Sequence, residues 1–356
     1  MIETRRNVNK NSSKDEHQVH AVAVYSGAHP AHQKMLSDCC ADSIKMLGEW
    51  SVDRNPSTRD KLLSYFGTAR RLRHSDYNVV VVEGAIPAAL MAPLINGLNR
   101  RPKAIIALCG EDALYRAFIE GEKRSRAILR YGFRFISGII TSGDIVPLLA
   151  RKYLRPLPVE VRYPQVAPER LETLAALEPS IDSHTMVLIG GGSPYCKGVD
   201  IAVDTVAILQ KQFPDARLTI LGFPDLEEEP GVSSPGPVTD IAPYLCSSSI
   251  LIHPGRGEAF GIVAVEAMLA GVVPYVSEWT GALSIVQEVD PKLVVPLKAG
   301  EFAERITDLW SAPVEQRQSL SETCKRVSRE FTAKTAAQPS LAPFIEHIAH
   351  INKSRG

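Results

Sequence analysis

The chain has 356 residues, 45% of them hydrophobic and 22% charged, with 40 Lys+Arg against 40 Asp+Glu. This composition excludes a disordered or fibrous protein, and the length suits two medium-sized domains better than one core. No apolar run approaches the length of a membrane-spanning helix. The neutral total hides an asymmetry: residues 1–164 carry 25 Lys+Arg against 16 Asp+Glu, and the remainder 15 against 24. Six cysteines are scattered without a C-x-x-C spacing, and Cys39 and Cys40 are adjacent. That pattern points to a reducing, cytoplasmic setting without structural zinc.

In chain order, residues 1–18 are polar, lack the apolar centre of a secretory signal, and read as a disordered tail. Short β-branched runs follow, "HAVAVYSG", "NVVVVEG", "AIIALCG", "SGIITSG" and "VEVRYP", each bounded by turn residues. Between the third and fourth lies "EGEKRSRAILRYGFR", in which Arg126, Arg130 and Arg134 recur every four residues. On a helix they form one cationic stripe, either a solvated face or a peripheral contact with an anionic membrane. Nucleic acid is not expected, because the chain is neutral and Tyr131 and Phe133 are the stripe's only aromatics. After "YPQVAPERLETLAALEPSIDSH" the alternation resumes with "TMVLIGGG", "ARLTILGFP", "SSILIHPG", "GVVPYVS" and "KLVVP". "FPDLEEEPGVSSPGP" reads as a long acidic loop. Strands apolar throughout imply parallel sheets covered on both faces, and strand–helix alternation in both halves implies two doubly wound α/β domains. The expected boundaries are 19–165, 166–335, and a C-terminal helix over 336–356 to which a return to the first domain is open.

Ligands of such sheets bind at the carboxyl ends of the strands. The post-strand residues are Gly27, Glu83–Gly84, Cys109–Gly110, Ser142–Gly143, Gly190–Gly192, Gly222 and His253–Gly257. Two stretches concentrate chemistry. In "LIGGGSPYCKGVDIA" a glycine-rich loop precedes Lys197, Gly198 and a helix, an arrangement suited to an anion. It is neither a P-loop, since Gly198 follows the lysine, nor a dinucleotide fingerprint, since Tyr195 stands where a glycine is required. In "HPGRGEAFGIVAVEAMLAGVVPYVS", Glu258 lies in a glycine-rich loop, Phe260–Gly261 opens a helix, and Glu266 sits inside it. Glu266 is then either a surface residue or a carboxylate with something to hold, because burial without a partner is costly.

The second stretch resembles the E-x7-E region of the retaining glycosyltransferases of family 4, which have the GT-B fold. Pro254, Glu258, Phe260–Gly261, Glu266–Ala267, Ala270–Gly271 and Pro274 fall in place. "GGGSPYCKGVDIAVDTVAIL" is similar to that family's diphosphate loop, and "WTGALSIV" to its glycine-containing turn; the likeness covers residues 186–295. It implies that Glu258 holds hydroxyls of the transferred sugar and that Gly261 and Ile262 offer backbone amides. It implies likewise that Glu266 holds the nucleotide ribose and Lys197 neutralises the diphosphate. Gly191, Gly192, Phe260, Gly222 and Val238 fall on the donor side by the same resemblance. Two departures stand out. Gly192 replaces the family's usual arginine, for which Arg256 is a candidate substitute, with a solvent-facing loop arginine as the alternative. Cys109 stands where the family often has a histidine. Gly27, His29, Cys109 and Glu111 are candidates for the sugar and acceptor side, Glu111 and Asp112 being equally readable as a helix cap.

The expected function is a retaining transfer of sugar from a nucleoside diphosphate sugar to a glycan or lipid-linked acceptor, in cell-surface glycan biosynthesis. No cofactor or metal is expected. A non-catalytic nucleotide-sugar-binding protein or partner subunit, and a sugar-nucleotide epimerase, remain as alternatives.

Overall fold

The computed structural model describes residues 19–354 except 28–29, 41, 47–56, 98–101, 111–112, 225 and 227–228. The expected tail, His29 and Glu111 lie outside the described residues. The strands are β1 (Ala21–Tyr25), β2 (Asp42–Lys45), β3 (Val79–Glu83), β4 (Ala104–Cys109), β5 (Gly138–Thr141) and β6 (Val159–Val161) in the first half. The second half contributes β7 (Thr185–Ile189), β8 (Arg217–Leu221), β9 (Val232–Gly236), β10 (Ile250–His253), β11 (Val273–Ser277) and β12 (Val294–Val295). They form two six-stranded sheets, in the orders β2-β1-β3-β4-β5-β6 and β12-β11-β10-β7-β8-β9. Every recorded pairing is parallel.

The unbroken apolar strands have a direct cause. Successive side chains of a strand point to opposite faces, and both faces of the first sheet are covered. Val22, Val24, Val80, Val82, Ile105 and Ala107 pack on one side with Tyr65 and Leu72 of the helix Thr58–Arg73 and Met91 of the helix Ala85–Asn96. Ala21, Ala23, Val79, Val81, Ile106 and Leu108 pack on the other with Leu36, Leu341, Ile345 and Ile348. The last three come from the end of the chain, where the helix Ala342–Ser354 lies on the first sheet. Asn352 ties it down, donating from Nδ2 to the Pro102 carbonyl (2.7 Å). The second sheet and its helices form a separate continuous core.

Two strands escape the hydrophobic pattern. β2 reads "DSIK" and is mostly exposed at the sheet edge. β9, "VSSPG", closes the other sheet from within the supposed acidic loop, and as an edge strand it can contain Pro235, which lacks an amide hydrogen. The cationic stripe also differs from its reading. The helix spans Lys123–Gly132, so Arg134 falls in the 3-10 turn beyond it. Arg126 bends inward, its Nε donating to the Ala117 carbonyl (3.0 Å). Arg130 and Arg134 remain exposed. Among the described residues no helix is long and apolar enough to cross a membrane.

The two halves meet at the carboxyl ends of their strands. A Cβ on Gly143 would lie 2.2 Å from the Ala259 carbonyl oxygen, so only glycine admits this approach. Asp144 N–H donates to the Gly281 carbonyl (3.2 Å), and the Asp144 carboxylate accepts from Tyr163 Oη (2.7 Å) and Ser284 N (3.3 Å). Beside them Tyr163, Phe260 and Phe331 form an aromatic trio with centroids 5.6 Å apart. Gln165 Nε2 donates to the Thr335 carbonyl (2.8 Å), binding the two chain crossings together.

Because Ile348 is fully buried between the last helix and the first sheet, Ile348→Ala should destabilise that half by about 2–5 kcal/mol. Urea unfolding followed by circular dichroism would measure the loss; a change within error would mean the helix is not an integral part of this core.

Candidate active site

The first wall of the site follows β7. The chain passes Gly190–Gly192 and enters a one-turn helix, Pro194–Lys197, where Ser193 caps the start by accepting from Cys196 N (3.3 Å). Gly198 then takes a left-handed conformation (φ 70°) and opens the helix Val199–Leu209. A Cβ there would sit 2.0 Å from the Pro254 carbonyl oxygen. Gly198 therefore presses this loop against the one after β10. Gly222 serves packing in the same way, since a Cβ on it would meet the Gly190 oxygen at 1.9 Å.

The second wall is residues 254–261, between β10 and the helix Ile262–Leu269. Its backbone is pinned from β11 and the turn beyond. Ser277 Oγ donates to the Gly255 carbonyl (2.5 Å), Gly281 N to the Glu258 carbonyl (2.9 Å), and Glu258 bridges Thr280. With the loop so held, the Glu258 side chain meets Lys197, whose Nζ donates to Oε2. The two predicted groups, 61 residues apart, are one ion pair. Burial alone would push the Glu258 pKa up, but the Lys197 charge brings it below the ordinary carboxylate value. His253 lies beneath, its Nε2 3.8 Å from the same carboxylate oxygen. Burial lowers its pKa to about 4, so the ring is neutral at physiological pH.

Glu266 is 5% exposed, which removes the surface-residue reading. Its Oε1 accepts from Arg170 Nη1 (3.0 Å), a cation on the helix Pro168–Ala175. Arg256 is neither solvent-facing nor turned to the glycine loop. Its guanidinium grips Asp200 in a two-point ion pair (2.8 and 2.7 Å) and lies over the Tyr195 ring at 4.2 Å. Although burial opposes it, this contact holds the Asp200 carboxyl below its ordinary value. Tyr195 in turn donates from Oη to Glu120 Oε1 (2.6 Å), joining the short helix to the first half of the chain. Gly191, Gly192, Ile262 and Val238 keep some exposure, whereas Gly261 is buried with a left-handed φ of 81°. The Phe260 ring is spent in the aromatic trio, leaving its backbone for any ligand.

Across from this wall, the first half brings the post-strand residues Gly27 and Glu83 together with His32, which the sequence reading does not single out. His32 Nδ1 and Glu83 Oε1 are 2.6 Å apart, and Glu83 Oε2 accepts from Gly27 N (2.7 Å). A Cβ on Gly110 would lie 3.6 Å from His32 Nε2 and 3.8 Å from the Ala259 Cβ, so the ring edge faces the Glu258 loop. The only available signals were the position of Glu83 after a strand and the proximity of His32 to His29. Cys109 is fully buried at the end of β4, and its thiol does not line an open surface. Asp144 was likewise missed; only its neighbours Ser142 and Gly143 stood out as post-strand residues.

Residues 183–312 match the family model described as glycosyl transferases group 1. The chain is similar to the D-inositol 3-phosphate glycosyltransferases of Jonesia denitrificans (25% identical over 206 residues, 48% of this chain and 49% of that protein) and Pseudarthrobacter chlorophenolicus (27% over 202 residues, 50% and 48%). It spans about half the length of these curated relatives. Among solved structures it is similar to the sucrose-phosphate synthase of Thermosynechococcus elongatus, with TM-score 0.63 and 13% identity over 94% of this chain and 99% of that one. Anabaena HepE in complex with UDP-glucose gives TM-score 0.62 and 15% identity, over 94% and 99%. At such identities the structural likeness is one of fold: two parallel six-stranded sheets meeting at their carboxyl ends, the GT-B arrangement.

Proposed function

We propose that the protein transfers a sugar from a nucleoside diphosphate sugar to an acceptor hydroxyl, the donor sitting between the β7 and β10 loops. The observation that carries the reading is the Lys197–Glu258 pair, which sets a phosphate-binding cation and a hydroxyl-binding carboxylate side by side. Without donor the two neutralise each other. With donor, Lys197 turns to the diphosphate and Glu258 accepts from sugar hydroxyls. Gly261 and Ile262 offer amides at the helix start, and Glu266, oriented by Arg170, accepts from ribose hydroxyls. HepE and trehalose-6-phosphate structures of this fold hold UDP-linked ligands, which favours a uridine diphosphate donor.

The reaction retains anomeric configuration on this reading. The bond between the anomeric carbon and the phosphate oxygen breaks, and the acceptor oxygen forms its bond from the same face. Its proton passes to the departing phosphate. Lys197 stabilises the negative charge that develops there. The acceptor is proposed to be a glycan or lipid-linked hydroxyl held by the basic first half. Exposed Arg130, Tyr131 and Arg134, together with Leu62, Leu63, Phe66, Arg59 and Arg70 of the helix Thr58–Arg73, favour contact with an anionic membrane surface. A donor-binding protein without turnover is the second reading. It is favoured by Gly192 in place of an arginine and by the engagement of Arg256 with Asp200.

Lys197→Met and Glu258→Gln should each lower kcat by about 10²–10³-fold, read as release of nucleoside diphosphate in the presence of acceptor. Wild-type turnover in Glu258→Gln would remove that residue from the mechanism. Binding of UDP-sugar without turnover on any acceptor would establish the second reading instead. Vesicles containing anionic lipid should sediment the protein at low salt and release it at high salt; sedimentation independent of anionic lipid would refute the membrane contact.

A further inference from the structure

β10 ends in a histidine for which the donor reading has no use. His253 is fully buried, and neither Nδ1 nor Nε2 has a hydrogen-bond partner among the described residues. Polar groups buried this way are uncommon, because they surrender water and receive nothing in exchange. Its Nε2 lies 3.8 Å from Glu258 Oε2, the oxygen that already accepts from Lys197. That separation exceeds a hydrogen bond, yet a small rotation of the carboxylate would close it. Two glycines keep the space over the ring open: a Cβ on Gly261 would approach Nε2 to 3.1 Å, and one on Gly255 to 3.5 Å. The charged groups facing the ring are Glu258, which favours its protonation, and Lys197, which opposes it; burial outweighs both and leaves the imidazole neutral. A neutral imidazole has one N–H to give, and on Nε2 it would point at the carboxylate.

We propose that His253 is the reserve partner of Glu258, a positioning residue whose Nε2–H takes over the carboxylate when Lys197 is drawn to a diphosphate. The ligand in this statement rests on the donor reading; the geometry does not. A diphosphate competes with Glu258 for one ammonium. Once Lys197 leaves, the carboxylate stands partly buried without its counter-ion, and it would turn to any donor within reach. His253 supplies a fixed donor from the end of a buried strand. It holds Oε2, which leaves Oε1 directed to sugar hydroxyls. Because the ring is neutral, the hand-over brings in no second cation to retain the leaving diphosphate. The imidazole would thus decouple the two halves of the ion pair, so that each serves a different part of one ligand.

Nuclear magnetic resonance of protein with labelled histidine nitrogens tests this, with His253 assigned from its absence in His253→Gln. In Lys197→Met without ligand, the His253 Nε2–H proton should move downfield and exchange more slowly than in wild type. Wild type saturated with UDP should show the same change. An unchanged signal in Lys197→Met, or a ring carrying its proton on Nδ1 there, overturns the proposal. The Lys197→Met experiment needs no ligand, so failure of UDP to bind in calorimetry would count against the donor reading alone. In turnover, His253→Gln keeps an N–H donor and should stay near wild type, while His253→Leu should lose about tenfold in kcat at unchanged UDP affinity, the worth of one hydrogen bond. Equal rates in the two variants would also overturn it.

Discussion

A carboxylate largely withdrawn from water needs a counter-charge, and in this chain Glu258 finds it across 61 residues in Lys197. The pair joins the loop after β7 to the loop after β10, the central neighbours of the second sheet. Each loop is shaped so that the pair can form. Gly198 permits the backbone of the first to lie against Pro254, and Ser277 and Gly281 hold the backbone of the second. Under it sits His253, neutral because it is buried. The proposed chemistry follows from separating these charges: one ligand carrying both phosphate and hydroxyl groups satisfies the ammonium and the carboxylate at once.

The same loops make the junction between the halves. Gly143 meets the Ala259 carbonyl, Asp144 collects Tyr163, Gly281 and Ser284, and Tyr195 reaches Glu120. Residues that shape the Glu258 loop therefore also brace it against the first sheet. The Tyr163 phenol, its pKa pushed up to about 12 by burial and by Asp144, stays a hydrogen-bond donor at this joint. A ligand entering between the sheets would have to work within these contacts or displace some of them. On the proposed reading, the Lys197–Glu258 pair would feel donor binding and the closeness of the two halves together.

What could be read in advance was what buried apolar surface and local motifs encode. Val79–Val82 announces a strand covered on both faces, and the second sheet's strands are as clear. β2 and β9 were missed because edge strands bury little, so "DSIK" and "VSSPG" carry no apolar signature. Lys197 and Glu258 were singled out by their glycine-rich surroundings and by resemblance, but their mutual contact is non-local. No spacing rule reports it. Arg256 shows the converse: its loop position suggested a role beside the phosphates, whereas Asp200, in the first turn of another helix, captures it. The His32–Glu83 contact joins residues 51 apart, so the post-strand position of Glu83 marks that residue but cannot name its partner.

The central claim is that the cation and the carboxylate exchange each other for a single donor. A crystal structure of the complex with UDP tests it most directly. In that complex Lys197 Nζ should lie within hydrogen-bond distance of a phosphate oxygen and no longer on Glu258. UDP seated elsewhere, or Lys197 still bound to Glu258 beside an occupied site, would contradict it.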